Sequence, residues 1–121
     1  MRMYSKEHQW VELKGEKAQI GITEFAAEQL GDIVFVELPS AGQRFAAGEV
    51  IARVESVKSA SEIYSPVCGE VLSVKEELSD APELLNADPE GVAWIAELRL
   101  ENPRELSELM KKEEYLAQLS L

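Results

Sequence analysis

The sequence has few of the residues that build metal centres and disulfides. Cys68 is the one cysteine and His8 the one histidine among 121 residues. A single thiol forms no intramolecular disulfide, and it excludes four-cysteine zinc and iron–sulfur sites. The chain also lacks paired metal-ligand spacings and a glycine-rich phosphate loop, so we expect no metal or nucleotide site. A cysteine–histidine nucleophile is formally available, but the turn-like segment Pro66–Gly69 favours a small, half-buried cysteine.

Long apolar runs are missing too. The segment Met1–His8 has no apolar stretch of the kind found in secretory signals. No run approaches the ~18 apolar residues of a membrane span. We therefore expect a cytoplasmic protein, as in a bacterium. A mitochondrial location stays open for a chain from which a transit peptide has been removed.

Basic residues are scarce. The 12 Lys and Arg residues are outnumbered by 23 Asp and Glu residues, which gives a formal net charge of −11. This charge repels phosphate backbones and anionic lipids, so nucleic acid and membranes are poor partners. It favours solubility and salt-sensitive docking to basic patches of other proteins. With 45% apolar residues, we expect one domain over residues 1–121, with strands at about 3–100 and C-terminal helices at about 103–119.

Short alternating apolar runs, separated by glycine or proline, predict a small sandwich or barrel of antiparallel strands. The predicted strands are Trp10–Leu13, Lys17–Ile22, Ile33–Leu38, a strand from Gly48 to near Val57, Ser61–Ser65, Gly69–Val74 and Trp94–Leu100. The first two flank the three-residue turn Lys14–Glu16 and should form a hairpin. Pro66 argues against continuing the fifth strand in the same sheet. The near copies Gly48–Ile51 and Gly69–Leu72 hint at two similar half-sheets, although four residues do not establish a repeat.

Capping residues predict short helices between and after the strands. Thr23 can cap a helix that ends at Leu30, before the terminator Gly31. A helical turn begins between Asp80 and Glu83, where a proline stands. Near the C-terminus, Asn102, Pro103 and Glu105 fit the N-cap, N1 and N3 positions of another helix, whose apolar stripe is then interrupted at Glu113 and Glu114. We therefore expect two short C-terminal helices.

Lys58 lies where two predicted strands meet, in the segment Glu55–Ala60. A lysine at a hairpin tip extends into solvent, where another enzyme can bind the loop and form an amide with its amine. The flanking residues are small or β-branched, and the two strands would hold the tip rigid. On position alone, a solvated turn lysine without any function is the commoner case. Both interpretations stay open at this point.

The residues around Lys58 carry a resemblance to a known family. The run Glu55–Lys58, followed by Ser61–Val67 and Gly69–Val71, closely resembles the lipoyl-attachment segment of H proteins of the glycine cleavage system. Further blocks in the same order are Tyr4–His8 with Trp10-Val11, Gly21–Thr23, Gln29–Pro39, Pro82–Leu84, Asn86, Asp88-Pro89 and Trp94. Biotin carriers resemble the same fold but usually have methionine on both sides of the modified lysine, where this chain has Val57 and Ser59. Lipoate is therefore favoured over biotin.

The resemblance implies a fold, a cofactor and partners. The fold is a mainly β barrel-sandwich hybrid of antiparallel strands, like other lipoyl and biotinyl carriers, with short peripheral helices and a helical C-terminus. Lipoate would be bound covalently to Lys58 of a non-catalytic, monomeric carrier in glycine catabolism and one-carbon metabolism. The arm would carry an aminomethyl group from glycine decarboxylase (P protein) to aminomethyltransferase (T protein), and dihydrolipoyl dehydrogenase (L protein) would reoxidise it. A lipoate ligase, or an octanoyltransferase with lipoyl synthase, would supply the modification.

Two positions that the family places near the loaded arm depart from its usual pattern. Glu62 replaces the usual aspartate and keeps a carboxylate, whereas Gln9 replaces a glutamate and removes one. A neutral hydrogen bond in place of an ion pair weakens the hold on a cationic amine by about 1 kcal/mol. We hypothesise that Glu7 partly restores the charge, since residues 7 and 9 share a face in an extended segment. Ala93 replaces a usual glycine and would be strained at positive φ.

One alternative function is compatible with the same residues. A carrier-like protein outside glycine cleavage would either donate lipoyl groups in a relay to other dehydrogenase complexes or act as an unmodified interaction domain. The neutral Gln9 is the residue that speaks for this alternative.

Overall fold

The computed structural model describes residues 2–119, which form two antiparallel sheets. The strands are β1 Arg2–Tyr4, β2 Gln9–Lys14, β3 Lys17–Ile22, β4 Ile33–Glu37, β5 Arg44–Phe45, β6 Val50–Ser56, β7 Ala60–Tyr64, β8 Gly69–Val74 and β9 Ala96–Leu100. The larger sheet has the order β1-β2-β3-β9-β8-β5, and the smaller has the order β4-β6-β7. The mainly β, antiparallel architecture expected from the sequence is confirmed.

Helices are short and lie between strands or after the last one. They are α1 Glu24–Leu30, α2 Glu77–Asp80, α3 Leu84–Ala87, a 3₁₀ helix at Pro103–Glu108 and α4 Lys112–Leu119. Within the part of the chain that the structure describes, no helix is long and apolar enough to cross a membrane.

The first predicted hairpin is present, with a shorter turn. Lys14 still pairs with Lys17, so the turn has two residues, and Gly15 takes the positive φ of 67° that it requires. The predicted apolar face of β3 at Ala18, Ile20 and Ile22 is buried. The opposite face of β3 is buried as well, since the ring of Trp10 covers Gly21. The expectation of a half-buried strand is therefore wrong, because Gln19, which donates to Glu97, is buried on that face as well.

The helix predicted after Thr23 is confirmed at both ends. The Thr23 hydroxyl accepts a hydrogen bond from the Ala26 N–H at 3.2 Å, which is the interaction expected of an N-cap. Gly31 ends the helix at a φ of 77°, and its N–H donates to the Ala27 carbonyl at 3.1 Å. This left-handed conformation is one that glycine adopts without the steric penalty of a Cβ.

The C-terminal region has two short helices, as predicted, but the first is a 3₁₀ helix. Asn102 caps it by accepting from the Arg104 N–H. The Glu105 side chain does not close a capping box, because its carboxylate accepts a hydrogen bond from the Cys68 N–H at 2.8 Å. Beyond the helix, Met110 forms a bridge to Tyr4 with two backbone hydrogen bonds of 2.8 Å. This pairing requires extended backbone and therefore separates the two helices.

The two sheets share one apolar core. Its fully buried members include Ile20 and Ile22 of the larger sheet and Val54 of the smaller one. As the sequence suggested, Pro66 separates β7 and β8, which lie in different sheets. The last strand begins at Ala96 rather than Trp94. Ala93 is fully buried, and His8 is the one non-glycine residue of the described range with positive φ, so the strain considered for Ala93 does not arise.

A second, smaller cluster joins the two ends of the described chain. Tyr4, Trp10 and Tyr115 are its buried members. The rings of Tyr4 and Tyr115 stack with centroids 4.9 Å apart. We call these three residues the aromatic cluster. It ties α4 to the first two strands through side chains that are distant in sequence.

Candidate functional site

Lys58 lies at the tip of the hairpin formed by β6 and β7. Glu55 pairs with Ala60, and the Ser56 N–H donates to the Ser59 carbonyl at 2.8 Å. The Ser56 hydroxyl accepts from the N–H groups of Lys58 and Ser59 at 3.2 and 3.1 Å. These local bonds shape the tip without covering it, and Lys58 is exposed. The sequence-based placement of Lys58 at an exposed tip is therefore confirmed.

The tip rests on the connection between α1 and β4. The Val57 N–H donates to the Asp32 carbonyl at 3.0 Å. The side chain of Lys58 crosses Gly31, since a Cβ built on this glycine would lie 2.9 Å from the lysine Cε. The positive φ favours a glycine here, whereas the contact with the flexible end of Lys58 could be relieved by movement of that side chain.

The surface beside Lys58 is apolar with an acidic edge. Val57, Val34 and Phe35 are 68%, 53% and 50% exposed, and we call these three residues the hairpin surface. The pairing of β4 with β6 places Phe35 opposite Glu55, and the hydrogen bond from Val57 to Asp32 places Val57 next to the start of β4. Glu55 and Asp32 are exposed carboxylates at its edge. Large apolar side chains gathered at one exposed place are typical of a protein-binding surface.

A cavity of about 210 Å³ lies near the start of β2. Glu7 and Gln9 are both part of its wall, together with Tyr64. Gln9 is buried, and its amide is fixed within the wall. The Ser5 hydroxyl donates to Gln9 Oε1 at 2.5 Å, and Gln9 Nε2 donates to the Glu7 carbonyl at 2.9 Å. The wall also includes the acidic residues Glu105 and Glu108, which the sequence did not single out, and the basic residue Lys6.

The prediction that Glu7 and Gln9 share one face of an extended segment is wrong. Glu7 lies in the turn between β1 and β2 rather than in an extended segment, and His8 has a φ of 70°. The turn nevertheless brings both residues to one cavity. Glu62, the third predicted contact, lies outside the cavity wall on β7. Its carboxylate is 3.5 Å from the Tyr64 hydroxyl and 3.5 Å from Arg53 Nη2, so it reaches the cavity only through Tyr64.

Neither His8 nor Cys68 has the surroundings of a nucleophilic pair. His8 Nδ1 lies 2.7 Å from the Tyr115 hydroxyl, and desolvation by burial lowers the pKa of His8. Burial and the neighbouring Glu105 carboxylate raise the pKa of the Cys68 thiol, which disfavours the reactive thiolate. Cys68 is half-buried, as expected. In residues 2–119 no group of three or more potential metal-ligating side chains gathers.

Sequence reasoning did not identify the polar centre next to the aromatic cluster. The Tyr115 hydroxyl lies 2.8 Å from Thr23 Oγ1 as well as 2.7 Å from His8 Nδ1. Burial raises the pKa of Tyr115, so its hydroxyl stays protonated and can donate to one partner while it accepts from the other. In the sequence, Tyr115 stands out only because it follows four charged residues, and this position does not reveal what its hydroxyl contacts.

Comparisons with known proteins agree with one another. The family model described as "Glycine cleavage H-protein" matches residues 2–120. A glycine cleavage system H protein of Phenylobacterium zucineum is 54% identical over 112 residues, covering 93% of each chain. One from Coprothermobacter proteolyticus is 53% identical over 113 residues, covering 93% of this chain and 89% of the relative. The crystal structure of a glycine cleavage system H protein from Mycobacterium marinum matches with a TM-score of 0.90 and 33% identity, covering 99% of this chain and 97% of that one.

Proposed function

This chain belongs to the glycine cleavage H-protein family, and from that membership we propose that Lys58 is the residue to which its lipoyl group is attached. The protein is a lipoyl carrier of the glycine cleavage system. The observation that supports Lys58 is its exposed amine at the tip of a hairpin with its own local hydrogen bonds. An amide at this position extends a flexible arm away from a rigid base.

The length of this arm suits a carrier that serves several enzymes. Lysine and the lipoyl chain together contribute about ten serial bonds, which put the sulfur atoms ~12–15 Å from the backbone. The dithiolane supplies reversible thiol chemistry. The chain's own residues hold the base of the arm and expose it. Tethering also raises the effective concentration of the loaded group at a docked enzyme, typically into the millimolar range.

The proposed partners are those the arm must visit. They are glycine decarboxylase, aminomethyltransferase and dihydrolipoyl dehydrogenase, with a lipoate ligase, or an octanoyltransferase and lipoyl synthase, acting first. The hairpin surface supports docking close to the arm, and the carboxylates of Asp32 and Glu55 favour partners with basic residues around the active-site entrance. In this scheme the carrier itself catalyses no step.

The cavity beside Gln9 is the proposed resting place of the loaded, cationic amine. Gln9 and Glu7 both line this cavity, and in this proposal the Glu7 side chain supplies the negative charge that Gln9 lacks. Glu62 acts in this proposal through its contact with Tyr64. A positive amine is attracted by carboxylates even at partly exposed sites, although solvent weakens the interaction.

The test of attachment is an intact-mass measurement after co-expression with a lipoate ligase. The wild-type chain should gain one lipoyl group, and Lys58→Arg should gain none. Lys14→Arg is a matched control, because Lys14 is an exposed lysine at the end of another hairpin. A lipoyl group on Lys58→Arg would refute the assignment.

Reconstitution then distinguishes glycine cleavage from the alternative role. The lipoylated chain should support release of CO₂ from glycine by the decarboxylase, with transfer of the aminomethyl group to the arm. A chain that accepts lipoate but fails here would instead be a lipoyl donor in a relay. A chain that is never modified would be an interaction domain.

The proposal also includes a single-domain monomer in the cytoplasm. One apolar core joins both sheets, and the relatives named above are bacterial proteins. We expect one cooperative unfolding transition and a monomeric mass in sedimentation equilibrium. Two separate transitions, or a dimeric mass, would contradict this part of the proposal.

A further inference from the structure

The base under Lys58 is a short connection rather than a regular element. Two residues, Gly31 and Asp32, join α1 to β4, which begins at Ile33, and the Asp32 carbonyl accepts the hydrogen bond from Val57. The preceding residue, Gly31, lies under the aliphatic chain of Lys58. The position of the tip therefore depends on how firmly this connection is held.

The side chain of Asn86, from a different part of the molecule, forms hydrogen bonds to this connection on both sides of Asp32. Asn86, in α3, donates from Nδ2 to the Gly31 carbonyl at 2.7 Å. Its Oδ1 accepts from the Ile33 N–H at 2.9 Å. The two bonds bracket Asp32, whose carbonyl is the group that meets Val57.

The chemistry of this contact favours an asparagine. A primary amide presents one acceptor and one donor group in a single plane, and here the acceptor meets an N–H while the donor meets a carbonyl. An aspartate would keep the acceptor and lose the donor. The side chain also takes the Ile33 N–H where the pairing of β4 with β6 shifts register, between Ile33 and Phe35.

The helix that carries Asn86 is itself anchored. Its neighbour Leu85 is fully buried in the main core, which fixes the direction of α3. Asn86 is exposed, so its side chain contributes little to the core. The arrangement thus joins a buried anchor to the exposed lysine through two side-chain hydrogen bonds and one backbone hydrogen bond.

We propose that Asn86 is a positioning residue of the carrier: it fixes Gly31–Ile33 and thereby the point and direction from which the Lys58 side chain leaves the protein. The consequence for function rests on the proposed lipoylation of Lys58. The mechanical part does not, because it concerns the unmodified hairpin.

The direct test is amide hydrogen exchange of the unmodified protein, measured residue by residue by NMR. In Asn86→Ala, the Val57 amide should exchange about tenfold faster, because its acceptor is no longer held. Amides of β2 and β3 should be unchanged. Asn102→Ala is the matched control, since Asn102 is also exposed and bonds a backbone N–H.

Asn86→Asp separates the two bonds and covers the case in which the alanine variant does not fold. It should retain protection of the Ile33 amide while still accelerating exchange at Val57. Unchanged exchange at Val57 in a folded variant would overturn the proposal. Uniformly faster exchange across all strands would also overturn it, because Asn86 would then only stabilise the fold.

Modification kinetics give a second readout. With a lipoate ligase, Asn86→Ala should show a KM for the carrier raised about fivefold with little change in kcat, because the correct hairpin geometry is populated less often. Equal KM values in wild type and variant would contradict the positioning role. If the wild-type protein accepts no lipoate, the proposed function fails, and the exchange result still decides the mechanical part.

Discussion

The hairpin tip and the aromatic cluster differ in the range of their contacts and in their exposure to solvent. At the tip, the bonds of Ser56 are made within three residues, and the lysine is left in solvent. In the aromatic cluster, Tyr115 contacts residues 92 and 107 positions away in sequence, and it is buried. The tip is therefore open to chemical change at little cost in stability, whereas the cluster tolerates little change and carries no chemistry of its own.

Lys58→Arg is expected to have the largest effect on carrier activity and almost none on stability. The variant should lose all carrier activity, because arginine offers no amine for the amide bond. Its free energy of unfolding should stay within about 0.5 kcal/mol of wild type, as for most exposed substitutions. Chemical denaturation alongside the decarboxylase assay checks both parts. A clearly destabilised variant would show that the tip is not independent of the fold.

Trp10→Ala should have the opposite effect. Trp10 is fully buried, covers Gly21 and donates from Nε1 to the Pro89 carbonyl at 2.9 Å. Truncation of such a side chain costs about 3–5 kcal/mol. Denaturant unfolding measures this loss, and the variant that remains folded should still accept lipoate. Loss below about 1 kcal/mol would mean that the cluster does not stabilise the fold as argued.

Phe35→Ser tests whether the hairpin surface contributes to the docking of the decarboxylase. Phe35 is half exposed and pairs with Glu55 of the Lys58 hairpin, so removal of its ring should leave stability nearly unchanged. The KM of the decarboxylase for the lipoylated carrier should rise about five- to tenfold, the effect of losing one apolar anchor. Val92→Ser, a similarly exposed apolar site in a loop, serves as the control. Equal changes in KM for both variants would show that the hairpin surface has no specific role in docking.

Glu7→Gln probes the cavity beside Gln9, whose wall includes Tyr4 of the aromatic cluster. If the Glu7 carboxylate helps to hold the loaded amine, its neutralisation should accelerate hydrolysis of the aminomethylated arm about two- to fivefold, corresponding to ~1 kcal/mol or less. The decay of the loaded carrier is followed by mass spectrometry. Glu16→Gln, in the turn of another hairpin, should have no effect. An unchanged decay rate for Glu7→Gln would end this hypothesis.

The smallest expected effect is a pH dependence in the aromatic region. Burial lowers the pKa of His8, so the unfolded chain binds a proton more readily than the folded one. Stability should therefore fall as the pH drops below the ordinary value of 6.5, and the fall should continue down to the depressed pKa of the folded state. Thermal unfolding between pH 5 and 8 measures it.

His8→Asn isolates this contribution, because asparagine tolerates the positive φ of this position. The variant should lose the part of the pH dependence that lies just below pH 6.5. Carboxylates contribute to the pH dependence of stability at lower pH. Burial of Glu12 raises its pKa, but hydrogen bonds and the charge of Arg2 outweigh this effect, so that its pKa is lowered. Identical pH profiles for wild type and variant would exclude His8 as the cause.

Much of the fold was predictable because its signals are local. The cap at Thr23, the terminator Gly31 and the alternating burial of β3 at Ala18, Ile20 and Ile22 all follow from short-range rules. The errors concerned one turn length and one strand face, both in the β2–β3 hairpin. The turn after β2 was one residue too long, and the opposite face of β3 was expected to be exposed although Trp10 covers it.

The candidate site divides in the same way. The exposure of Lys58 could be predicted from the meeting of two strands, and the lipoyl attachment remains a prediction from family resemblance. The cavity shared by Glu7 and Gln9 could not be derived correctly, because a turn rather than a strand brings them together. Glu105 and Glu108 reach the same wall from a helix about a hundred residues away, which no local pattern reveals.

By itself, the sequence determined which segments form most of the strands, which lysine stands at a hairpin tip and which family the chain resembles, since each of these depends on neighbouring residues. Only the tertiary structure decided what supports that lysine, what surrounds Gln9 and why the C-terminal helices are separated. The bonds of Asn86 to Gly31 and Ile33 and the bridge between Tyr4 and Met110 join residues more than fifty positions apart. Such contacts arise from the packing of complete elements, so they leave no periodic signal along the chain.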